Sequence, residues 1–480
     1  MNLHLSDVVK RAVTPDPEIT GVTSDSRKVR PGYLFAALPG ARVDGRSFIP
    51  TALERGAAAI LAPEDVTGLA APVVHAWDLR RAYALAAKAV QPQQPETVVA
   101  VTGTNGKTSV AAFCRQIFER LGRVSASMGT LGVVAAGEQL TPPGLTTPDA
   151  ADVAATMAEL HRRGVTHLAL EASSHGVDQR RLDGVELKAA GFTNLSQDHL
   201  DYHGTMGAYR ASKLRLFETL LPRGRTAVLN ADSDAFPAFA AAAVMAGQTI
   251  LSVGERGQGL RLVGRELLPD GQRLKLAAGE HAFEVRLPLA GAFQASNALV
   301  AAGLCVAAGE DLPLVLAALE HLEGAPGRLQ RVGSGPRGGE AYVDYAHTPD
   351  GLATVLEALR PHARGRLIVV FGAGGDRDRS KRPLMGDAAE RLADIAVVTD
   401  DNPRSEDPAA IRSEVKAGAP SAREIGDRRE AIFAACGMLE DGDVLVVAGK
   451  GHEQGQLVAG VTHSFDDVGV TREGLEAADG

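Results

Sequence analysis

The chain has 480 residues, 45% hydrophobic and 23% charged, with a formal net charge of −9. That length allows several domains with real cores, and the acidic balance excludes nucleic acid or an anionic membrane as the principal partner. Three cysteines, Cys114, Cys305 and Cys436, are far apart and odd in number; they carry neither metal nor disulfide spacing, which implies a reducing cytoplasm.

In chain order, residues 1–90 hold short apolar runs ("YLFAAL", "AAAILA", "APVVHAW") between turn residues, the pattern of a small α/β domain, with no secretory h-region before them. The polar "QPQQPE" (91–96) is a linker. A buried-strand run, "TVVAVTG", then leads into "KTSVAAFCRQIFERLG", a helix closed by Gly122. Further strands are predicted at 166–173, 187–196 and 224–232, with helices between them, one at 209–221. The longest uncharged stretch, Ala235 to Gly254, is interrupted by Pro237 and Gly247 and reads as an Ala-rich helix followed by a strand, not a membrane span. A second break at "EGAPGRLQRVG" (323–333) precedes "AYVDYAH", "RLIVVFGAGGD", "DIAVVTDDNP" and "GDVLVVAGKGHE". Each is an apolar run ending in Gly, Asp or His, so a second doubly wound sheet is expected, with its polar residues at the ligand-binding carboxyl ends.

The loop "VTGTNGKTSV" lacks the first glycine of the usual phosphate-binding pattern, because Val101 stands there. Strand, glycines, Lys, Thr and helix in that order still make an anion cradle of backbone N–H groups. Lys107 can reach terminal phosphates and Thr108 can hold Mg²⁺, and Glu171, at the end of a neighbouring strand, suits the same hard cation. By pattern alone Lys213 is an exposed helix lysine, and His199 in "SQDHLDYHG" is an unexpected ligand for a hard cation. "FGAGGDRDRSKRP" is not a dinucleotide fingerprint, since Arg377 takes the place of the third glycine. Arg377, Arg379, Lys381 and Arg382 point instead to a bound carboxylate or phosphate. With Arg404 in "TDDNPRSEDP" and with Lys450 and Glu453 in "AGKGHEQ", charges of both signs suit a zwitterion such as an amino acid.

Taken together, "TSDSR", "DGRSFI", "TGTNGKTS", "LTTPD", "EASSHGVDQRRL", "TNLSQDHLDYHG", "SKLRLF", "PGRLQRV", "DYAHTPDGL", "GAGGDRDRSKRP", "DNPRSEDP" and "AGKGHE" resemble the Mur ligases over nearly the whole chain. These ATP-dependent enzymes build the peptidoglycan stem peptide of the cell wall, and the likeness is to the branch that adds the third residue. The resemblance implies three α/β domains. They are a small N-terminal uridine-nucleotide domain (1–90), a central P-loop-type doubly wound ATPase domain (91–325) and a C-terminal Rossmann-like amino-acid domain (326–480). The implied substrates are UDP-MurNAc-L-Ala-D-Glu and a diamino acid, with ATP and Mg²⁺, acting in a cytoplasmic monomer without nucleic acid or membrane.

Residue by residue, the resemblance places the uridine substrate at Ser24 and Ser26 and at Ala41, Arg42 and Val43, where the His-Gln-type residues of some members are absent. Thr146, Thr147, Ser173, Gln179 and Arg181 match positions holding the sugar-peptide. Gly103, Thr104, Asn105, Gly106, Lys107, Thr108 and Ser109 match the ATP loop. Asn297, Arg328, Asp344 and His347 fall where the family contacts adenine, phosphate and ribose, with Gln294 standing where Asn is common. Glu171 and His199 match the Mg²⁺ ligands, and Lys213 matches a lysine carried as a carbamate, an oxygen ligand for a second Mg²⁺. Arg377, Asp401, Asn402, Pro403, Arg404, Gly449 and Glu453 match the amino-acid pocket, and the Asp-Asn-Pro-Arg sequence implies meso-diaminopimelate over L-lysine or L-ornithine. Rival readings are a folylpolyglutamate synthetase, a P-loop NTPase switch, a nicotinamide-dependent dehydrogenase and a binding module without catalysis.

Overall fold

The computed structural model describes residues 3–40, 43–268 and 270–478. It divides into two compact units, Met1–Gly259 with Val300–Val315, and Leu260–Leu299 with Leu316–Gly480.

In the first unit, the N-terminal apolar runs form a parallel sheet in chain order: Gly21–Thr23, Tyr33–Ala36, Ala57–Ala62 and Val73–His75. Both faces are covered, which is why the runs read as continuously apolar. Leu34, Ala36, Ala59 and Leu61 pack with Tyr83 and Ala84 of the helix Leu79–Val90. Phe35, Ile60 and Ala62 pack with Ile49 and Ala52 on the other side. Asp78 starts that helix by accepting from the Arg81 amide.

The central sheet of this unit runs Thr249–Gly254, Thr226–Asn230, Ala189–Phe192, Thr97–Thr102, His167–Glu171 and Ser125–Gly129, all parallel, followed by antiparallel Gly132–Ala135 and Glu138–Thr141. Thr97–Thr102 comes first in the chain yet lies in the middle, between His167–Glu171 and Ala189–Phe192. The strand order therefore reverses around it, and the crevice at its carboxyl end is where open α/β sheets bind ligands. The helix Lys107–Arg120 follows, and Gly122 (φ 77) takes the left-handed conformation just beyond it. The uncharged stretch resolves into the helix Phe236–Met245 and the strand Thr249–Gly254. No described helix is long and apolar enough to cross a membrane.

The second unit contains an antiparallel meander, Leu260–Leu268, Gly271–Ala278 and His281–Leu287, whose one-in, one-out burial of Leu274, Lys275 and Leu276 shows the period of two. Its main sheet has the order Gln330–Ser334, Glu340–Asp344, Val444–Ala448, Leu367–Phe371, Ile395–Val398, Arg423–Glu424 and is parallel after the first pair. A short hairpin, Gly455–Val458 with Val461–Ser464, follows the strand Val444–Ala448.

Candidate active site

At the reversal point of the first unit the chain leaves Thr102 through Gly103 (φ 153) and turns into the helix at Gly106 (φ 87). Only glycine suits Gly103, because a Cβ there would lie 1.9 Å from Thr193 Oγ1. The loop is held from outside: Thr104 N donates to Asn194 O (2.9 Å), Asn105 N to Asn194 Oδ1 (3.0 Å), Thr193 Oγ1 to Asn105 O (2.6 Å) and Tyr209 OH to Thr104 Oγ1 (3.2 Å). With glycine at the cap there is no capping side chain, so the first-turn amides at the positive helix end suit an anion. Lys107 Nζ donates to the carbonyl oxygens of Gly103 (2.9 Å) and Thr104 (2.8 Å).

Lys213 is 1% exposed, contrary to its sequence pattern. Its Nζ donates to Gly103 O (2.8 Å) and lies 4.4 Å from the Tyr209 ring centre. Burial, and then the neighbouring Lys107 cation, lower its pKa to about 6, because both penalise a second positive charge. The partner that buries it is 110 residues away in sequence.

Glu171 ends the adjacent strand and is buried. Thr108 Oγ1 donates to its Oε2 (3.0 Å), Thr130 N to its Oε1 (2.8 Å), and Thr130 Oγ1 to its Oε2 (3.2 Å). A carboxylate with hydroxyl neighbours beside an anion cradle is an all-oxygen donor set, which fits Mg²⁺. His199 is exposed, in left-handed backbone (φ 51), with its Nε2 3.4 Å from Asp198 Oδ2 and its ring 4.8 Å from that of His175. Among the described residues no three His, Cys, Asp or Glu side chains converge as a ready metal cage.

Thr147 ties this centre to the residues expected to meet the sugar-peptide. Its hydroxyl donates to Glu171 O (2.8 Å) and accepts from Ser173 N (3.1 Å) and Ser173 Oγ (3.0 Å). Thr146 Oγ1 lies 3.0 Å from Thr130 Oγ1. Arg181 donates to Thr147 O and Gln179 Oε1, and Gln179 Nε2 donates to Tyr202 OH. Two residues beyond Thr147, Asp149 accepts from Ser24 Oγ (3.3 Å) and Tyr83 OH (2.5 Å) while capping the helix Ala150–Arg162. Ser26 is buried in the turn Ser26–Lys28 and Val43 is exposed. The candidates Ala41 and Arg42 lie outside the described residues.

In the second unit, Asp344 ends its strand and accepts from Leu329 N (2.6 Å) and Ala346 N (2.8 Å). Burial raises its pKa, against the opposing pull of Arg328 and these amides. The Arg328 guanidinium sits 4.8 Å from the Tyr345 ring centre, and Tyr345 packs against His347 and His452. Gln294, in place of the common Asn, bridges Asn297 to Arg328: its Oε1 accepts from Asn297 Nδ2 (3.1 Å) and its Nε2 donates to Arg328 O (3.1 Å).

A second cluster gathers at the carboxyl ends of Leu367–Phe371, Ile395–Val398 and Val444–Ala448. Gly375 N donates to Asn402 O (2.9 Å), and a Cβ on Gly375 would sit 1.9 Å from Pro403 O. Arg404 is in left-handed backbone (φ 55), and its NH1 donates to Gly375 O (2.7 Å). Asp401 and Asn402 are buried, Asn402 Nδ2 donates to Glu453 Oε2 (2.8 Å), and Gly449 (φ 122) lies against Asp401. Arg377 is exposed. The four-cation run divides: Arg379 pairs with Glu414, and buried Arg382 pairs with Glu406 and Glu414. Buried Arg382 is thereby committed to carboxylates within the fold.

Residues 18–118 match the catalytic domain of the Mur ligase family, 101–305 the Mur ligase middle domain, and 327–451 the Mur ligase glutamate ligase domain. A relative from Caulobacter vibrioides, named UDP-N-acetylmuramoyl-L-alanyl-D-glutamate--2,6-diaminopimelate ligase, is 68% identical over 100% of both chains. The chain belongs to the Mur ligase family. A relative of the same name from Rhizobium meliloti is 54% identical over 95% of this chain and 94% of its own. A solved structure of a ligase of that name superposes with a TM-score of 0.78 at 35% identity, covering 99% of each chain. The three-domain α/β expectation drawn from the Mur ligase likeness is borne out by these matches.

Several residues of this Mur ligase site had no individual signal in the sequence. Thr130, which holds Glu171, follows an ordinary strand end, and Tyr83 and Asp149 meet across 66 positions. Tyr209 is one position in an amphipathic helix. Only the "LTTPD" and "SKLRLF" motifs flagged their neighbourhoods.

Proposed function

We propose that this Mur ligase joins an amino acid, meso-diaminopimelate, to the D-Glu γ-carboxylate of UDP-MurNAc-L-Ala-D-Glu at the expense of ATP. The third-residue assignment follows the names of its full-length relatives, and the reaction belongs in the cytoplasm, where ATP and nucleotide-activated sugars are held. The observation that carries the reading is the reversal point of the first unit, where the anion cradle, Lys107, Thr108 and buried Glu171 meet.

A free carboxylate repels an amine and has no leaving group. Transfer of the γ-phosphoryl of ATP to the carboxylate oxygen gives an acyl phosphate and ADP. The amine then attacks the acyl carbon, loses a proton and expels inorganic phosphate. The cradle of Gly103, Thr104, Asn105, Gly106, Lys107, Thr108 and Ser109 would hold the phosphates, and Lys107 would leave its two carbonyls to neutralise the moving phosphoryl. Thr108, Glu171 and His199 would hold Mg²⁺, which supplies charge neutralisation on the phosphate oxygens.

Lys213 would carry CO₂ as a carbamate: its nitrogen lone pair attacks the carbon, a proton leaves to water, and the resulting anion faces Lys107. A pKa of about 6 supports this, since the amine is mostly neutral, hence nucleophilic, at pH 7. Ser24, Ser26, Val43, Thr146, Thr147, Ser173, Gln179 and Arg181 would receive the sugar-peptide. Asn297, Arg328, Asp344 and His347 would receive adenosine and phosphate. Arg377, Asp401, Asn402, Pro403, Arg404, Gly449 and Glu453 would receive the amino acid. With divisions at residues 90 and 325, the sugar-peptide would be shared by the first two domains, ATP by the last two, and the amino acid would lie in the third.

The test is phosphate release from ATP and Mg²⁺ with UDP-MurNAc-L-Ala-D-Glu, first without amine and then with meso-diaminopimelate, L-lysine or L-ornithine. Release that requires meso-diaminopimelate is the expected result. Release indifferent to every amine would reduce the protein to an NTPase, and a preference for lysine or ornithine would overturn the third-residue assignment.

A further inference from the structure

Lys450 has a side chain of 0% exposure at the base of the Asp401–Glu453 cluster. Its Nζ donates to Asn402 Oδ1 (3.0 Å) and Glu453 Oε2 (3.1 Å) and stands 3.7 Å from Asp401 Oδ1. We propose that Lys450 is a positioning residue of the amino-acid pocket, locking the Asn402 amide and the Glu453 carboxylate in the one orientation that receives an ammonium–carboxylate pair. The inference rests on the ligase reading above and adds a residue to it.

The hydrogen bonds fix the orientation. Asn402 Oδ1 accepts from Lys450 Nζ and from Leu457 N (2.9 Å). Flipping the amide would set its NH₂ against two donors, so Nδ2 must face Glu453. One Nδ2 hydrogen goes to Glu453 Oε2, which leaves the other for a ligand carboxylate. Glu453 Oε2 already takes two donors, from Asn402 and Lys450. Its Oε1 has no hydrogen-bond partner among the described residues and is left for an ammonium.

The charges agree. Arg428 and Asp467 form a fully buried pair, with Arg428 also donating to Ala448 O (3.0 Å) and Asp400 O (3.4 Å). Around the cluster the carboxylates of Asp401, Glu453 and Asp467 face the cations of Lys450 and Arg428, so the buried Lys450 ammonium is offset by neighbouring carboxylates. Lys450 is itself spent on protein acceptors, so it acts through Asn402 and Glu453 and not on the ligand.

The experiment measures kcat and the KM of each substrate for the wild type and Lys450→Met. The KM for meso-diaminopimelate is expected to rise roughly ten- to hundredfold, the loss due when charge-assisted contacts are misdirected, with the KM values for ATP and UDP-MurNAc-L-Ala-D-Glu within about twofold. An unchanged amine KM, or all three KM values rising together, would overturn the proposal. Should Lys450→Met fail to fold, the wild-type protein is crystallised with meso-diaminopimelate. The ligand is expected on Asn402 Nδ2 and Glu453 Oε1 with Lys450 still on its two partners, and Lys450 turned onto the ligand's carboxylate would refute the positioning role. A wild type without amine-dependent turnover removes the ligase reading and this inference together, whereas an active wild type with an indifferent variant removes this inference alone.

Discussion

Lys213 and Lys107 donate to the same acceptor, the carbonyl oxygen of Gly103, at 2.8 and 2.9 Å. Two ammonium groups on one carbonyl repel, and burial together with the Lys107 charge lowers the pKa of Lys213 to about 6. The second positive charge on the loop is thus disfavoured at Lys213.

This arrangement makes stability depend on pH in a stated direction. The Lys213 pKa falls from 10.5 unfolded to about 6 folded, so between these values the unfolded chain binds one more proton and stability rises with pH. The penalty is complete below pH 6 and gone above 10.5, with a slope of about 1.4 kcal/mol per pH unit between. Lys213→Met is expected to flatten the rise of Tm between pH 6 and 9 in bicarbonate-free buffer. A rise as steep as the wild type's would show that Lys213 is not the group responsible.

Lys107→Ala removes the cation that the cradle offers to phosphate. Amide-bond formation should fall by at least about a hundredfold, the scale of losing a preorganised charge contact in phosphoryl transfer. Calorimetry should still find UDP-MurNAc-L-Ala-D-Glu bound, because Ser24, Thr147 and Arg181 are untouched. Turnover near the wild-type rate would end the phosphate role.

Gly129→Ala tests the acid. A Cβ at this position would come within 2.0 Å of Glu171 Oε1, so the carboxylate must swing off Thr130. The Mg²⁺ concentration for half-maximal activity is expected to rise several-fold while the KM for the amino acid holds. A variant with unaltered Mg²⁺ dependence would separate Glu171 from the metal.

On the proposed reading Arg404 would carry the choice of amino acid. Its Nε and NH2 have no hydrogen-bond partner among the described residues, since NH1 alone is bound, to Gly375 O. A distal carboxylate received there is worth about 1.5–3 kcal/mol. Arg404→Ala should therefore cost roughly ten- to 150-fold of the preference for meso-diaminopimelate over lysine, measured as a ratio of kcat/KM. An undiminished preference would move selectivity to another part of the pocket.

Runs such as "TVVAVTG" and "GDVLVVAG" are strands buried on both faces, and so were visible in the sequence as unbroken apolar stretches. The meander from Leu260 to Leu287 was not singled out, because its half-exposed strands mix Arg, Lys and Glu with leucine over an uneven alternation. Charge by itself misled in the 377–382 run, where Glu406 and Glu414 arrive from a later loop and helix to take up Arg379 and Arg382. Burial of Lys213 was illegible for a related reason: the groups that enclose it, Gly103 and Tyr209, matter through tertiary geometry. The residues that bind were singled out inside motifs; those that hold them in place, Thr130 outside any motif and Asp149 at the end of "LTTPD", were not.

The five residues Leu145 to Asp149 touch both ends of the first unit: Thr147 holds the backbone of Glu171, and Asp149 holds Ser24 and Tyr83. One short, hydrogen-bonded brace thereby fixes the distance between Ser24 and Glu171, and on the proposed reading that distance would act as a ruler. A sugar-peptide lacking one residue would leave its carboxylate short of the cradle, and one with an extra residue would overshoot it. Length, as much as chemistry, would then decide which precursor is extended.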